Sequence, residues 1–81
     1  MDENETIIRA NMSSLLAARQ VKAKTTELGG TWNLHEIHYI HPMPRNIEFA
    51  VILESGTNCI RVSAKINRDT ARLSNIEVEE I

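Results

Sequence analysis

Hydrophobic and polar residues alternate most regularly in the middle of the chain, between Ile47 and Ile66. Every second residue from Ile47 to Leu53 is apolar, and so is every second residue from Ile60 to Ile66. This period-two alternation is typical of β-strands that bury one face. The Ser-Gly-Thr-Asn sequence between the two runs predicts a type II′ turn, with Gly56 at the position that needs positive φ. The stretch therefore predicts a β-hairpin.

The short turn also predicts how the two strands pair. With a two-residue loop that begins at Gly56, Val51 lies opposite Val62 and Ile52 lies opposite Arg61. A slip by one residue would turn the apolar side chains of one strand to the polar face, so this register is strongly favoured. Because two strands alone are not stable in water, another element must cover the apolar face.

Residues 3–28 have the pattern of an amphipathic helix that could provide this cover. The apolar residues on its main face are Ile8, Met12, Leu15 and Leu16. Asp2 and Glu5 have the spacing of a capping box at its start. Gly29 and Gly30 mark its end. A straight helix of this length would measure about 39 Å, against about 27 Å for an eight-residue strand, so we expect it to bend, fray or project at one end.

Two further strands complete the predicted fold. Residues 31–41 predict a first strand, with a β-bulge near His35 that places Leu34 and Ile37 on the same side. Residues 73–81 predict a fourth strand, which places a glutamate opposite Arg61 of the hairpin in either plausible register.

This order of elements predicts an α+β fold over residues 1–81, a single domain in which one N-terminal helix packs on a four-stranded antiparallel meander sheet. In its order α-β-β-β-β the fold resembles the cystatin-like architecture. The cystatin inhibitory motif is missing, since Gln20 to Ala23 lie within the predicted helix, so the resemblance implies a topology and no function. The predicted core consists of Ile8, Met12, Leu15, Phe49, Val51, Leu53, Ile60, Val62 and Ile76.

The composition is that of an ordinary folded domain, with 42% apolar residues and a net charge of −2 over 81 residues. A negative net charge argues against a general binder of polyanions. The single cysteine allows no internal disulfide, the first residues do not resemble a signal peptide, and no apolar run is long enough to span a membrane. We therefore expect a cytoplasmic protein, encoded by its host or delivered by a virus or plasmid, with no membrane partner.

Three histidines, His35, His38 and His41, suggest metal ligands at first sight. On a strand, however, His35 and His41 are about 20 Å apart and His38 points to the other face. We therefore interpret them as half-exposed strand residues, and we expect neither a metal nor a cofactor.

No group of residues in the sequence has the pattern of a catalytic site. Cys59 is the only thiol, and it is predicted opposite Glu54, whose carboxylate disfavours the thiolate that a nucleophile needs. The chain has no phosphate-binding loop or nucleophile elbow, and its core leaves little room for a substrate cavity. We therefore expect no enzyme activity.

Two functional hypotheses remain. A third interpretation is that the outer sheet face and the basic helix surface are ordinary solvated surfaces without a binding role. The preferred one is a protein-interaction module, an inhibitor or adaptor, which binds a partner or forms a homodimer through the outer sheet face or an edge strand. Its predicted binding residues are Tyr39, Ala50, Ile52, Cys59 and Arg61. The alternative is weak nucleic-acid binding by basic residues of the helix. These residues are Arg9, Arg19, Lys22 and Lys24, which are scattered around the helix.

Overall fold

The structure is a computed structural model that describes residues 2–81. Three helices, α1 (Glu3–Ala10), α2 (Met12–Ala17) and α3 (Arg19–Leu28), precede four strands, β1 (Asn33–Pro42), β2 (Asn46–Ser55), β3 (Asn58–Asn67) and β4 (Leu73–Glu80). The strands form one antiparallel sheet in the order β1-β2-β3-β4. The predicted α+β fold with a meander sheet is therefore confirmed.

The central hairpin has the predicted register. Val51 lies opposite Val62, Ile52 lies opposite Arg61, and all ten residue pairs between β2 and β3 follow without a shift. Of the two loop residues only Gly56 has a positive φ, of 60°, as a type II′ turn requires. The alternation of apolar residues and the glycine therefore specify the same pairing.

The N-terminal helix is divided into three parts, where the sequence predicts one helix that bends, frays or projects at one end. The Asn11 side-chain amide donates a 2.8 Å hydrogen bond to the Ile7 carbonyl, a contact that competes with helical bonding. Ala18 has an extended backbone, with φ −61° and ψ 138°. A straight helix of about 39 Å would exceed the longest dimension of the molecule, which is 35 Å. The break at Ala18 allows Leu15 and Val21, on either side of it, both to be buried.

Both predicted helix ends are confirmed. Asp2 is the N-cap of α1, and its Oδ1 accepts a 2.9 Å hydrogen bond from the backbone N–H of Glu5. Gly29 ends α3 with φ 76°, and Gly30 follows with φ 89°. Both angles lie in the region that side chains disfavour, so glycine provides the stop.

The hydrophobic core lies between the helices and one face of the sheet. Its buried members are Ile8, Leu15, Val21, Ile47, Phe49, Val51, Leu53, Ile60, Val62, Ala64 and Ile66. Of the predicted core residues, Met12 and Ile76 are only partly buried and pack at the margin of this cluster. Each of the three helices contributes one fully buried side chain, so every helix is held to the sheet by apolar burial.

β1 contains two bulges, one more than the sequence predicts. Its register against β2 shifts at His35 and again at His38. Because each bulge adds a residue, the inward side chains recur at every third position instead of every second. Leu34, Ile37 and Ile40 consequently all pack against the core. The predicted bulge near His35 is confirmed, and the second bulge explains why the strand shows no clean alternation.

Arg68 connects three parts of the chain at one end of the molecule. From the turn between β3 and β4, its Nη1 donates a 2.8 Å hydrogen bond to Asn4 Oδ1, and its Nε donates a 3.0 Å bond to the Met43 carbonyl. Its backbone N–H also donates to the Arg45 carbonyl, at 2.9 Å. One side chain therefore links the start of α1 to the loop between β1 and β2.

Replacing Val51 with alanine should destabilise the protein by about 1–3 kcal/mol, because a fully buried side chain leaves a cavity. Val51 has no exposed surface. Unfolding in denaturant measures the loss, and the same change at the partly exposed Val78 serves as the control, with a smaller expected effect. An unchanged free energy of unfolding for Val51→Ala would contradict the assignment of the inner face.

Replacing Arg68 with alanine should destabilise the protein by about 1–2 kcal/mol, because partly buried hydrogen-bond acceptors lose their donor. The matched control is Arg72→Ala, an exposed arginine of the same turn whose side chain makes no hydrogen bond within residues 2–81. Thermal unfolding of both variants measures the difference. Equal melting temperatures would show that the guanidinium contacts contribute nothing.

Candidate functional site

The outer face is the side of the sheet that points away from the helices. Strand pairing assigns its side chains, since residues opposite one another share a face. They are Asn33, Glu36, Tyr39 and His41 from β1, Glu48, Ala50, Ile52 and Glu54 from β2, Cys59, Arg61, Ser63 and Lys65 from β3, and Ser74, Glu77 and Glu79 from β4. Within residues 2–81, the buried helix residues all belong to the core on the other face.

All five predicted binding residues lie on the outer face, and they are neighbours there. Tyr39 lies opposite Ala50, and Ile52 lies opposite Arg61. Cys59 lies opposite Glu54 as predicted, two positions along β3 from Arg61. The fold therefore brings the five into one patch. Whether this patch binds a partner stays a prediction.

Ala50 and Ile52 are less accessible than expected. They are 0% and 7% exposed, so neither offers a partner the accessible side chain that a binding residue of this face needs. Both belong to the inner strand β2, and a long side chain lies opposite each of them, Tyr39 opposite Ala50 and Arg61 opposite Ile52. The accessible part of the patch consists of Tyr39, Cys59 and Arg61.

Two shallow depressions lie on the outer face beside this patch. The first has a volume of about 270 Å³ and is lined by Tyr39, Glu48, Ser63, Ala64, Lys65, Asn75 and Glu77. The second has a volume of about 430 Å³ and is lined by Arg61, Ser63, Glu77, Val78 and Glu79. Ser63 and Glu77 line both depressions, so the two adjoin.

Sequence reasoning missed Ser63 and Glu77 as site residues. Ser63 is a small residue between Arg61 and Lys65 on the same face of β3, so a hollow remains where a longer side chain would lie. That contrast in side-chain length is visible in the sequence. Glu77 borders the hollow because it lies opposite Ser63, a pairing that the sequence left ambiguous.

The outer face is acidic. Its glutamates are Glu36, Glu48, Glu54, Glu77 and Glu79, whereas its only lysine and arginine are Lys65 and Arg61. Arg61 Nη2 lies 2.9 Å from Glu79 Oε2, which confirms the predicted glutamate opposite this arginine. Glu77 makes no ion pair within residues 2–81, although Lys65 borders the first depression with it and Arg61 borders the second.

The three histidines of β1 lie apart from one another and are exposed. His35 Nδ1 lies 3.1 Å from Glu54 Oε2, and the His38 ring meets the Tyr39 ring edge-on at a centroid distance of 6.0 Å. No group of three histidine, cysteine, aspartate or glutamate side chains within residues 2–81 is arranged to hold a metal ion.

The residues of the nucleic-acid hypothesis are divided between two helices, with Arg9 in α1 and the others in α3. Arg9 lies 3.9 Å from Glu5, and Lys24 Nζ lies 3.0 Å from Glu27 and 3.4 Å from Glu80. The two that are exposed without such a contact are Arg19 and Lys22. Carboxylates therefore offset half of the positive charge that this hypothesis needs.

Comparison with known proteins gives no match. No protein-family model, curated protein or solved structure is significantly similar to the chain. Within residues 2–81, no helix combines the length and the apolar character needed to cross a membrane.

The pKa of Lys24 is raised above its ordinary value of 10.5, chiefly by the hydrogen bond and the charge of Glu27 and less by Glu80. A raised folded-state pKa adds stability that is fully present below the unfolded-state value and is lost as pH rises through the folded-state value. The stability difference between wild type and Lys24→Gln should therefore stay constant from neutral pH to about 10.5 and shrink in more alkaline solution.

Unfolding in denaturant across this pH range measures the difference. Lys22→Gln is the matched control, because Lys22 has no carboxylate contact within residues 2–81. A Lys24→Gln difference that does not shrink in alkaline solution would contradict the role of the two glutamates.

Proposed function

We propose that this protein is a small non-enzymatic interaction module, an inhibitor or adaptor, that binds another protein through its outer sheet face. The observation that carries the proposal is the uneven cover of the sheet. The helices bury their apolar side chains on one face, while the opposite face of the four-stranded sheet stays open within residues 2–81. A broad open sheet face suits contact with another folded surface.

Tyr39 supports this choice of surface. It is 39% exposed, and the only other large hydrophobic side chain that is exposed within residues 2–81 is Ile81. A tyrosine offers a large apolar ring and a hydroxyl in one rigid side chain, which is why it is enriched at protein interfaces. Its position beside the depression at Ser63 places an anchor next to a hollow that a partner's side chain could fill.

The shape of the depressions also favours a protein ligand. Both are shallow and bordered mainly by charged and polar side chains. Sites for small molecules are usually concave and mostly apolar, and they enclose most of the ligand. A partner protein can cover an open surface of this kind, because its own surface completes the exclusion of water.

A photo-crosslinking amino acid in place of Tyr39, in lysate of the native host, tests the proposal. The control carries the same group in place of Gln20, which is exposed on α3. We expect one protein to be captured from position 39 and not from position 20. The purified pair is then titrated.

In that titration, Ser63→Arg should weaken binding at least about tenfold, because it fills the central depression of the interface. Gln20→Arg adds the same charge away from the sheet and should leave the affinity unchanged. Equal affinities for both variants and the wild type would contradict binding through the outer face.

A second copy of the chain is the alternative partner. The outer face carries Arg61 and Lys65 together with several glutamates, so a two-fold related copy could set opposite charges against one another, although exposed pairs contribute little. Sedimentation equilibrium of the wild type and Ser63→Arg, from micromolar to near-millimolar concentration, decides this. A wild type that stays monomeric excludes the homodimer, and a dimer that persists in Ser63→Arg moves the contact off this face.

A further inference from the structure

The two edges of the sheet differ in how easily another strand can pair with them. β1 is interrupted by bulges at His35 and His38 and ends at Pro42. Bulges and prolines obstruct edge-to-edge pairing, and natural sheets use them for that purpose. β4 pairs with β3 without a shift from Glu77 to Glu80, so this half of the other edge is regular.

Hydrogen bonding shows which backbone groups of β4 are free. The Ile81 N–H donates a 3.1 Å bond to the Cys59 carbonyl of β3. In an antiparallel ladder, residues that bond to one neighbour alternate with residues that point to the other side. Val78 and Glu80 therefore direct their N–H and C=O groups away from β3, toward the free edge.

Most side chains next to this edge are acidic, and Lys24 of α3 contributes one positive charge there, with its Nζ 3.4 Å from Glu80 Oε2. Glu77 and Glu79 are exposed on the outer face. Glu79 is paired with Arg61 at 2.9 Å, whereas Glu77 has no ion-pair partner within residues 2–81 and borders both depressions. A regular free edge thus runs beside a carboxylate that makes no direct ion pair and beside a hollow at Ser63.

We propose that β4 binds an extended segment of a partner protein that carries lysine or arginine at alternate positions, which adds a fifth strand to the sheet. This inference rests on the proposed function and specifies which edge is used and the chemistry of the partner. The segment's backbone pairs with the outward groups of Val78 and Glu80. Its basic side chains lie opposite Glu77 and Glu79, at the non-hydrogen-bonded positions where cross-strand side chains are closest.

A second copy of β4 fits this edge less well than a basic segment does. Pairing two copies about a two-fold axis at Val78 would place Glu77 of each opposite Glu79 of the other. Like charges directly opposite one another destabilise a strand pair, whereas opposite charges stabilise it. The charge of the edge therefore selects a positively charged strand.

A short, capped and fluorescently labelled peptide of alternating lysine and valine is the probe. The first control peptide has glutamate in place of lysine, which reverses the charge. The second is N-methylated at the valines, which keeps the charge and removes the backbone donors that would reach β4. We expect both controls to bind at least about tenfold more weakly than the probe, measured by fluorescence anisotropy at low salt.

Matched variants of the chain locate the contact. Glu77→Lys should weaken binding of the lysine peptide about fivefold, because a cross-strand pair of opposite charge becomes one of like charge. Glu36→Lys makes the same change on the same face at the β1 edge, and it should leave binding unchanged. Equal losses in both variants, or full binding of the N-methylated peptide, would show general charge attraction and overturn the proposal.

The remaining outcomes separate this inference from the proposed function. If the lysine peptide fails to bind while position 39 still captures a partner that Ser63→Arg releases, only the inference is overturned. If the wild-type chain forms a dimer that Glu77→Lys strengthens, the strand that pairs with the edge of β4 belongs to a second copy of the chain. The inference is again overturned.

Discussion

The apolar side chains of β2 and β3 lie together on one face of the central hairpin. The helices and the two outer strands pack against this apolar surface. Because the register runs unbroken over ten residue pairs, it presents one continuous apolar surface made by alternate residues of both strands. That surface needs cover, and the helices provide it. The division of the helical segment at Ala18 follows from the same need, since it keeps Leu15 and Val21 on the sheet.

The same register determines the character of the open face. Ala50 and Ile52 alternate with the core residues of β2 and so point outward, yet neighbouring strands shield them. What reaches solvent is therefore the ring of Tyr39 and a set of longer polar side chains around a small residue, Ser63. A surface of this kind stays hydrated in the free protein, and a partner with complementary charge can still cover it. The two edge strands of the sheet also differ. Two bulges interrupt β1, whereas half of β4 is regular.

Much of this arrangement could be predicted from residue patterns, and the parts that could not have physical reasons. The hairpin register was predictable because alternation and Gly56 agree. A bend in the helical segment was predictable from its length, but the positions of the breaks at Asn11 and Ala18 were not, since they depend on how each part packs on the sheet. The second bulge, at His38, was not predictable either, because it depends on how the side chains of the edge strand β1 pack against the core.

The candidate site was predicted in part. All five predicted partner residues share the outer face. Side chains alternate between the two faces along a strand, so the face of each residue follows once the register is known. The burial of Ala50 and Ile52 was missed because parity alone does not show how far neighbouring side chains extend. The position of Glu77 beside the depressions depends on the pairing of β4 with β3, which shifts at a bulge near Asn75. Asn75 has a φ of 53°.

Native-state amide hydrogen exchange, resolved by residue with NMR, tests most directly that the hairpin carries the core and that the β4 edge is free. We expect the slowest exchange in β2 and β3, because their amides open only when the core does. In β4 we expect Glu79, bonded to β3, to be protected, and Val78 and Glu80, which point outward, to exchange quickly. Uniform protection of β4 in the free protein would contradict an open edge, and faster exchange in β2 than in β1 would contradict the central role of the hairpin.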